Sequence, residues 1–129
     1  SDVCSSDLGS YTAIDEIKLN GQLTLGENVA DNAGLHIAFY ALMEVLAGKP
    51  PQPPTDGFTQ EQRFFLAWGQ MWCETASDQD QRRRAREDPH SNGRWRTNGV
   101  LQNSIEFRHA FGCATGKSVM APERVCRVW

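Results

Sequence analysis

One unbroken stretch, LTLGENVADNAGLHIAFYALMEVLAG from Leu23 to Gly48, limits the possible folds of this chain more than any other segment. It reads as a single helix from about Leu25 to Leu46. The helix is apolar almost all the way round, so it has to be covered on more than one side. Gly48-Lys49-Pro50-Pro51 ends it, a glycine followed by prolines. Near its start stand Glu27 and Asp31, one turn apart. Positions 27, 31, 34, 38 and 41 fall on one stripe and read Glu, Asp, Gly, Ala, Ala. Small residues there let a neighbour approach closely, and the two acids face that neighbour. Buried carboxylates without partners are costly and would rather protonate. The pair therefore calls for cations opposite: Arg or Lys, or a metal with its histidines. The plainer reading is two exposed acids in a first turn, where the helix dipole favours negative charge.

The remainder reads as further helices joined by loops. Asn20-Gly21 is a turn signal. KPPQPPTDG, residues 49–57, is too proline-rich to continue either neighbour. A second helix starts at Thr59, with Gln62 placed to complete a capping box. It carries Phe64, Phe65, Leu66, Trp68, Met71 and Trp72, which predicts heavy burial. Asp78 to Asp88 predicts a short solvated helix whose arginines are flanked by acids. EDPHSNGRWRTNG, residues 87–99, reads as a loop. A last helix is expected after Asn103, with Glu106 as capping partner and Gly112 as its end. Strand patterning is slight, so the expected fold is mainly α.

The 129 residues suit one ordinary domain. A net charge of −3 gives no reason to expect nucleic acid as a partner. No apolar run approaches the ~20 residues that span a bilayer. The opening SDVCSSDLGS has neither a basic nor an apolar signal region. It is polar and aperiodic, and residues 1–9 read as a non-native-looking leader before a body at 10–129. None of the four cysteines forms a CxxC pair, which argues against a zinc ribbon or a redox dithiol. Without Cys4 three remain, an odd number pointing to a piece of a larger, disulfide-bearing protein.

GENVADNAGL, residues 26–35, resembles the Glu-Asn-x-x-Asp motif of the neprilysin and endothelin-converting-enzyme family of zinc metallopeptidases. GQMWC (69–73), DPHSNGRWRTNG (88–99), LQNSIEF (101–107) and the terminal CRVW resemble the C-terminal portion of that family, in the same order. The resemblance implies the C-terminal part of a thermolysin-like helical peptidase domain, and an enzyme that hydrolyses peptide bonds of oligopeptides with zinc as cofactor. By similarity Glu27 is the third protein ligand of the zinc, whose other two are histidines; a carboxylate oxygen suits that metal. Asp31 is similar to the aspartate that accepts a hydrogen bond from a zinc-binding histidine and fixes its ring. His90 resembles the histidine that donates to the oxyanion of the transition state. Arg96 resembles the arginine that grips a substrate carbonyl, and Met71 and Trp72 resemble residues lining the pocket just after the cleaved bond. Without the motif order, His90 and Arg96 would read as an exposed loop histidine and a surface arginine, and Met71 and Trp72 as core. His36 and His109 match no functional position.

The departure from the family pattern is large. Family enzymes carry His-Glu-x-x-His upstream, supplying two zinc ligands and the general base that activates water. The motif is absent from this sequence. One of three protein ligands is present, and the chain alone is expected to be inactive. The implied partners are peptide substrates and the missing N-terminal part of the same protein, whose parent could carry a membrane anchor. Cys73, Cys113 and Cys126 resemble positions disulfide-bonded mostly to upstream partners, which implies an extracytoplasmic parent: periplasmic, secreted or cell-surface. The alternative is a non-catalytic helical binding module derived from the family. A small metal site built from His109 and Cys113 is a third, weaker reading, with two ligands only.

Overall fold

The structure, a computed structural model, describes residues 7–113 and residue 125; Cys4, Cys126 and Trp129 lie outside them. Two short antiparallel strands, β1 (Thr12–Ile14) and β2 (Ile17–Lys18), pair Thr12 with Lys18 and Ile14 with Ile17. Asp15 turns the hairpin at φ 51°, a left-handed position that aspartate tolerates better than most residues. Strands of this length carry too little alternation to be legible beforehand, and they correct the expectation of helices alone.

Five helices follow: α1 (Gly21–Ala47), α2 (Gln60–Met71), α3 (Asp78–Glu87), α4 (Gly93–Leu101) and α5 (Ile105–Phe111). The fold is mainly α, as expected. α1 begins earlier than its apolar pattern suggested, because Asn20 serves as its cap rather than as a turn. The Asn20 side chain accepts the Leu23 N–H at 3.1 Å. The α2 capping box is present in both directions: Thr59 Oγ1 accepts from Gln62 N at 3.3 Å, and Gln62 Oε1 accepts from Thr59 N at 3.0 Å. α3 places Asp78 and Asp80 in its first turn and Arg84 and Arg86 in its last, matching the helix dipole. α5 starts on Ser104 and ends on Gly112 at φ 61°. Glu106, expected as its capping partner, accepts from the Ser104 hydroxyl at 3.1 Å.

α4 was not expected. It lies inside the segment that reads as a loop, because Pro89, Asn92, Gly93 and Gly99 all favour breaks in regular structure. Tertiary contacts override that preference. Tyr11 stacks on Trp95 with ring centres 4.1 Å apart, and Trp95 Nε1 donates to Thr12 O at 2.7 Å. The hairpin thus pins the first turn of α4.

Leu35 and Phe39 of α1, Phe65 of α2, and Val100 and Leu101 of α4 form the core. Phe65 stacks on Phe39 at 5.2 Å and meets Phe107 of α5 edge-on at 5.4 Å. Burial of α2 is narrower than its composition suggested: Phe65 is buried, but Leu66 is 39% and Met71 61% exposed. The buried face of α1 runs through Gly21, Thr24, Asn28, Leu35 and Phe39. The neighbouring stripe is half-buried at Glu27 and Asp31 and exposed at Gly34, Ala38 and Ala41. Ile37, Tyr40 and Val45 add exposed apolar surface on the same helix. No helix among the described residues is long and apolar enough to cross a membrane.

Candidate active site

The acid pair of α1 faces the loop that enters α4, and the cation opposite Asp31 is Arg96. Its Nε donates to Asp31 Oδ2 at 2.6 Å and its Nη2 to Asp31 Oδ1 at 2.7 Å. This two-pronged arrangement is the geometry for which a guanidinium is shaped. The two side chains are only 13% and 11% exposed. The Arg96 guanidinium also lies 3.9 Å from the centre of the Trp72 ring, in cation–π contact. Asp31 and Arg96, named separately from the sequence, therefore form one unit.

Glu27, one turn before Asp31, stands at the open side of the cleft with a side chain 43% exposed. His90 Nε2 approaches Glu27 Oε2 at 3.4 Å, and Arg96 Nη2 approaches the same oxygen at 3.8 Å. Both contacts are long and fall on one oxygen, so the carboxylate keeps unused acceptor capacity. His90 is set from behind by Asp88, whose Oδ1 accepts the His90 backbone N–H at 2.9 Å and lies 2.8 Å from Nδ1. These bonds, the backbone one foremost, hold the Asp88 carboxyl below its ordinary value, against the opposing effect of burial. Asp88 is a site residue not singled out above, although an aspartate two residues before a histidine is a recognisable side-chain-to-backbone turn.

The entry of α4 is fixed by three further bonds. The Asn92 side chain caps Trp95 N at 3.3 Å, and its amide donates to Ala13 O at 3.1 Å. Gly93 N donates to Glu74 Oε1 at 2.7 Å. A Cβ on Gly93 would stand 2.2 Å from the Trp72 carbonyl oxygen, so only glycine allows this approach. The result is a cavity of about 290 Å³, walled by Trp72, Glu74, Arg84, Asp88, His90 and Arg96 among others. Met71 is not among its walls and points largely to solvent.

Glu27 fits the role of a single oxygen ligand for zinc. Among the described residues, no three His, Cys, Asp or Glu side chains gather as a metal-binding set. His109 and Cys113 gain no third ligand among those residues. Cys73 and Cys113 are free thiols. His36 lies outside the cleft, 3.4 Å from Glu106 and edge-on to Tyr40.

Residues 4–128 match the sequence model of Peptidase family M13. The chain is 38% identical over 128 residues to an endothelin-converting enzyme homolog of Locusta migratoria, an alignment covering 98% of this chain and 18% of that protein. It is 40% identical over 130 residues to neprilysin-2 of Caenorhabditis elegans, covering 98% and 18%. Its fold matches the zinc metalloprotease Zmp1 of Mycobacterium tuberculosis in the open state, with a TM-score of 0.91 and 33% identity, over 99% of this chain and 21% of that one. The inhibitor complex of the same protease matches with a TM-score of 0.92. The chain spans about a fifth of the length of these relatives. The family match over residues 4–128 and the shared fold lead to one conclusion: the chain belongs to peptidase family M13, a family of metallopeptidases.

Proposed function

We propose that this chain supplies the carboxylate ligand, the transition-state histidine and the substrate-gripping arginine of a zinc metalloendopeptidase acting on oligopeptides. The observation that carries the reading is convergence: Glu27, Asp31, His90 and Arg96 form one side-chain cluster beside the cavity although the two pairs are far apart in sequence. The remaining zinc ligands and the general base belong to a His-Glu-x-x-His segment that this sequence lacks. Zinc, when bound, polarises the scissile carbonyl and activates the water that attacks it.

The chain's own residues do the rest. Glu27 offers an oxygen at the cleft mouth. His90, its ring steadied by Asp88, presents Nε2 on the same side and donates to the oxyanion as charge develops there. Arg96 is anchored by Asp31 and Trp72 and turns its remaining N–H groups toward a substrate carbonyl. An ionised carboxylate offers about four lone-pair sites. Asp31 uses two on Arg96 and retains capacity for a ligand imidazole. Trp72 forms part of the pocket for the residue after the cleaved bond, whereas Met71 stays outside the cavity walls.

The exposed stripe of α1 at Gly34, Ala38 and Ala41 suits coverage by the missing part of the same protein. Cys73, Cys113 and Cys126, read as disulfide positions with partners mostly upstream, suit a whole enzyme that works outside the cytoplasm, secreted, periplasmic or on a cell surface.

The test joins this chain to the coding sequence upstream of it and assays a quenched fluorescent peptide with and without a zinc chelator. Chelator-sensitive cleavage by the joined protein, with none by the chain alone, is the expected result. An upstream sequence without His-Glu-x-x-His would sink the reading and leave a helical binding module in its place.

A further inference from the structure

Asn28 occupies the buried face of α1, next in sequence to Glu27, and Ser91 is next in sequence to His90. The two are hydrogen-bonded: Asn28 Nδ2 donates to Ser91 Oγ, and its second hydrogen goes to Thr24 O at 2.8 Å. Asn28 is 7% and Ser91 4% exposed. The amide oxygen of Asn28 meets no donor among the described residues. An unsatisfied buried acceptor costs stability, and an apolar side chain of similar size would avoid that cost. Packing therefore gives no reason for an amide at this place. The two bonds of its nitrogen do.

The loop's other hydrogen bonds lead elsewhere, His90 N to Asp88, Asn92 to β1 and Gly93 to Glu74, and its one further contact with α1 described above is the long His90–Glu27 approach itself. We propose that Asn28 and Ser91 are positioning residues, a buried neutral link that sets His90 at its working distance from Glu27. The catalytic role of His90 rests on the peptidase reading above; the link itself does not. A neutral bond suits the task, because it holds the loop to α1 whatever charge the cleft carries. Ser91 borders the cavity but is buried, and its hydroxyl oxygen accepts from Asn28. They act through their neighbours in sequence, much as outer hydrogen-bond partners orient metal ligands.

The experiment is nuclear magnetic resonance on the full chain, following cross-peaks between the His90 ring and the Glu27 side chain. Ser91→Ala is expected to abolish them while the α1 backbone signals stay in place. Thr59→Ala, which weakens the distant α2 cap, is expected to keep them and separates positioning from general destabilisation. Cross-peaks of wild-type strength in Ser91→Ala would overturn the proposal. Should that variant fail to fold, Asn28→Ala is read against the same control with the same two outcomes. In the joined peptidase, Ser91→Ala is expected to lower kcat by about 10- to 100-fold with KM and zinc content unchanged. A matching rise in KM with kcat intact would overturn it as well. Failure of the peptidase reading shows as a wild-type enzyme that does not cleave, which leaves the cross-peak result standing.

Discussion

Arg96 and Asp31 share two parallel hydrogen bonds of 2.6 and 2.7 Å beneath the cleft floor, and each is almost fully enclosed. Removing one member leaves the other charge unpaired in a poorly solvated place. Asp31→Ala is expected to lower stability by about 3 kcal/mol, read by urea unfolding. Arg96→Lys keeps the charge but loses the fork and the flat contact with Trp72, and is expected to cost less than Asp31→Ala. Equal losses would mean that the bidentate geometry adds nothing.

His90 stands 48% exposed and touches no residue of the core. His90→Ala should therefore leave unfolding unchanged within about 0.5 kcal/mol, as for ordinary surface substitutions. In the joined peptidase the same change is expected to reduce kcat by about 10²–10³-fold, the cost of deleting one oxyanion donor. Thermal unfolding and steady-state kinetics on the same preparation check both halves.

Gly93 has no room for a methyl group, since its Cβ would collide with the Trp72 carbonyl 2.2 Å away. Backbone, unlike the tip of a side chain, yields only by moving the segment between α2 and α3. Gly93→Ala is expected to cost about 1–3 kcal/mol and to break the bond to Glu74. Faster hydrogen exchange at residue 93 is the direct sign of that break.

Asp88 gives the loop a pH dependence whose sign follows from its lowered value. A carboxyl depressed in the folded state contributes stability above the unfolded value of 3.8, and that contribution disappears as pH falls through the lower folded value. The His90 backbone amide signal should move with a midpoint below 3.8. Asp88→Asn keeps an acceptor without a titrating proton and should abolish that movement, while the shared acid response of the other carboxylates remains. A midpoint above 3.8 in the native chain would reverse the assignment.

How much of this was legible beforehand differs from element to element. α1 was readable because glycine and prolines mark its end, and α2 because Thr59 and Gln62 write a capping box in four letters. Both signals are local. α4 was not readable, because what makes it a helix is the Tyr11 stack, the Asn92 bond to Ala13 and the Trp95 bond to Thr12, all supplied from far along the chain. The acid pair announced that something cationic lay opposite, but spacing alone left Arg, Lys or metal open. Arg96 supplies one answer. Asn28 and Ser91 gave no signal, because neutral residues at buried positions look like ordinary helix and loop chemistry until the two ends are seen together.

The same long reach has a kinetic side. Each bond that closes the cleft, Asp31 to Arg96 and Asn28 to Ser91, joins residues more than sixty positions apart. Helices α1 and α2 draw on nearby partners and are free to form early, whereas the cleft waits until the chain has looped back across about half of its length. During that wait α1 has its carboxylates and its apolar flank uncovered together. The cleft is thus also the part through which slow folding and unwanted association would enter.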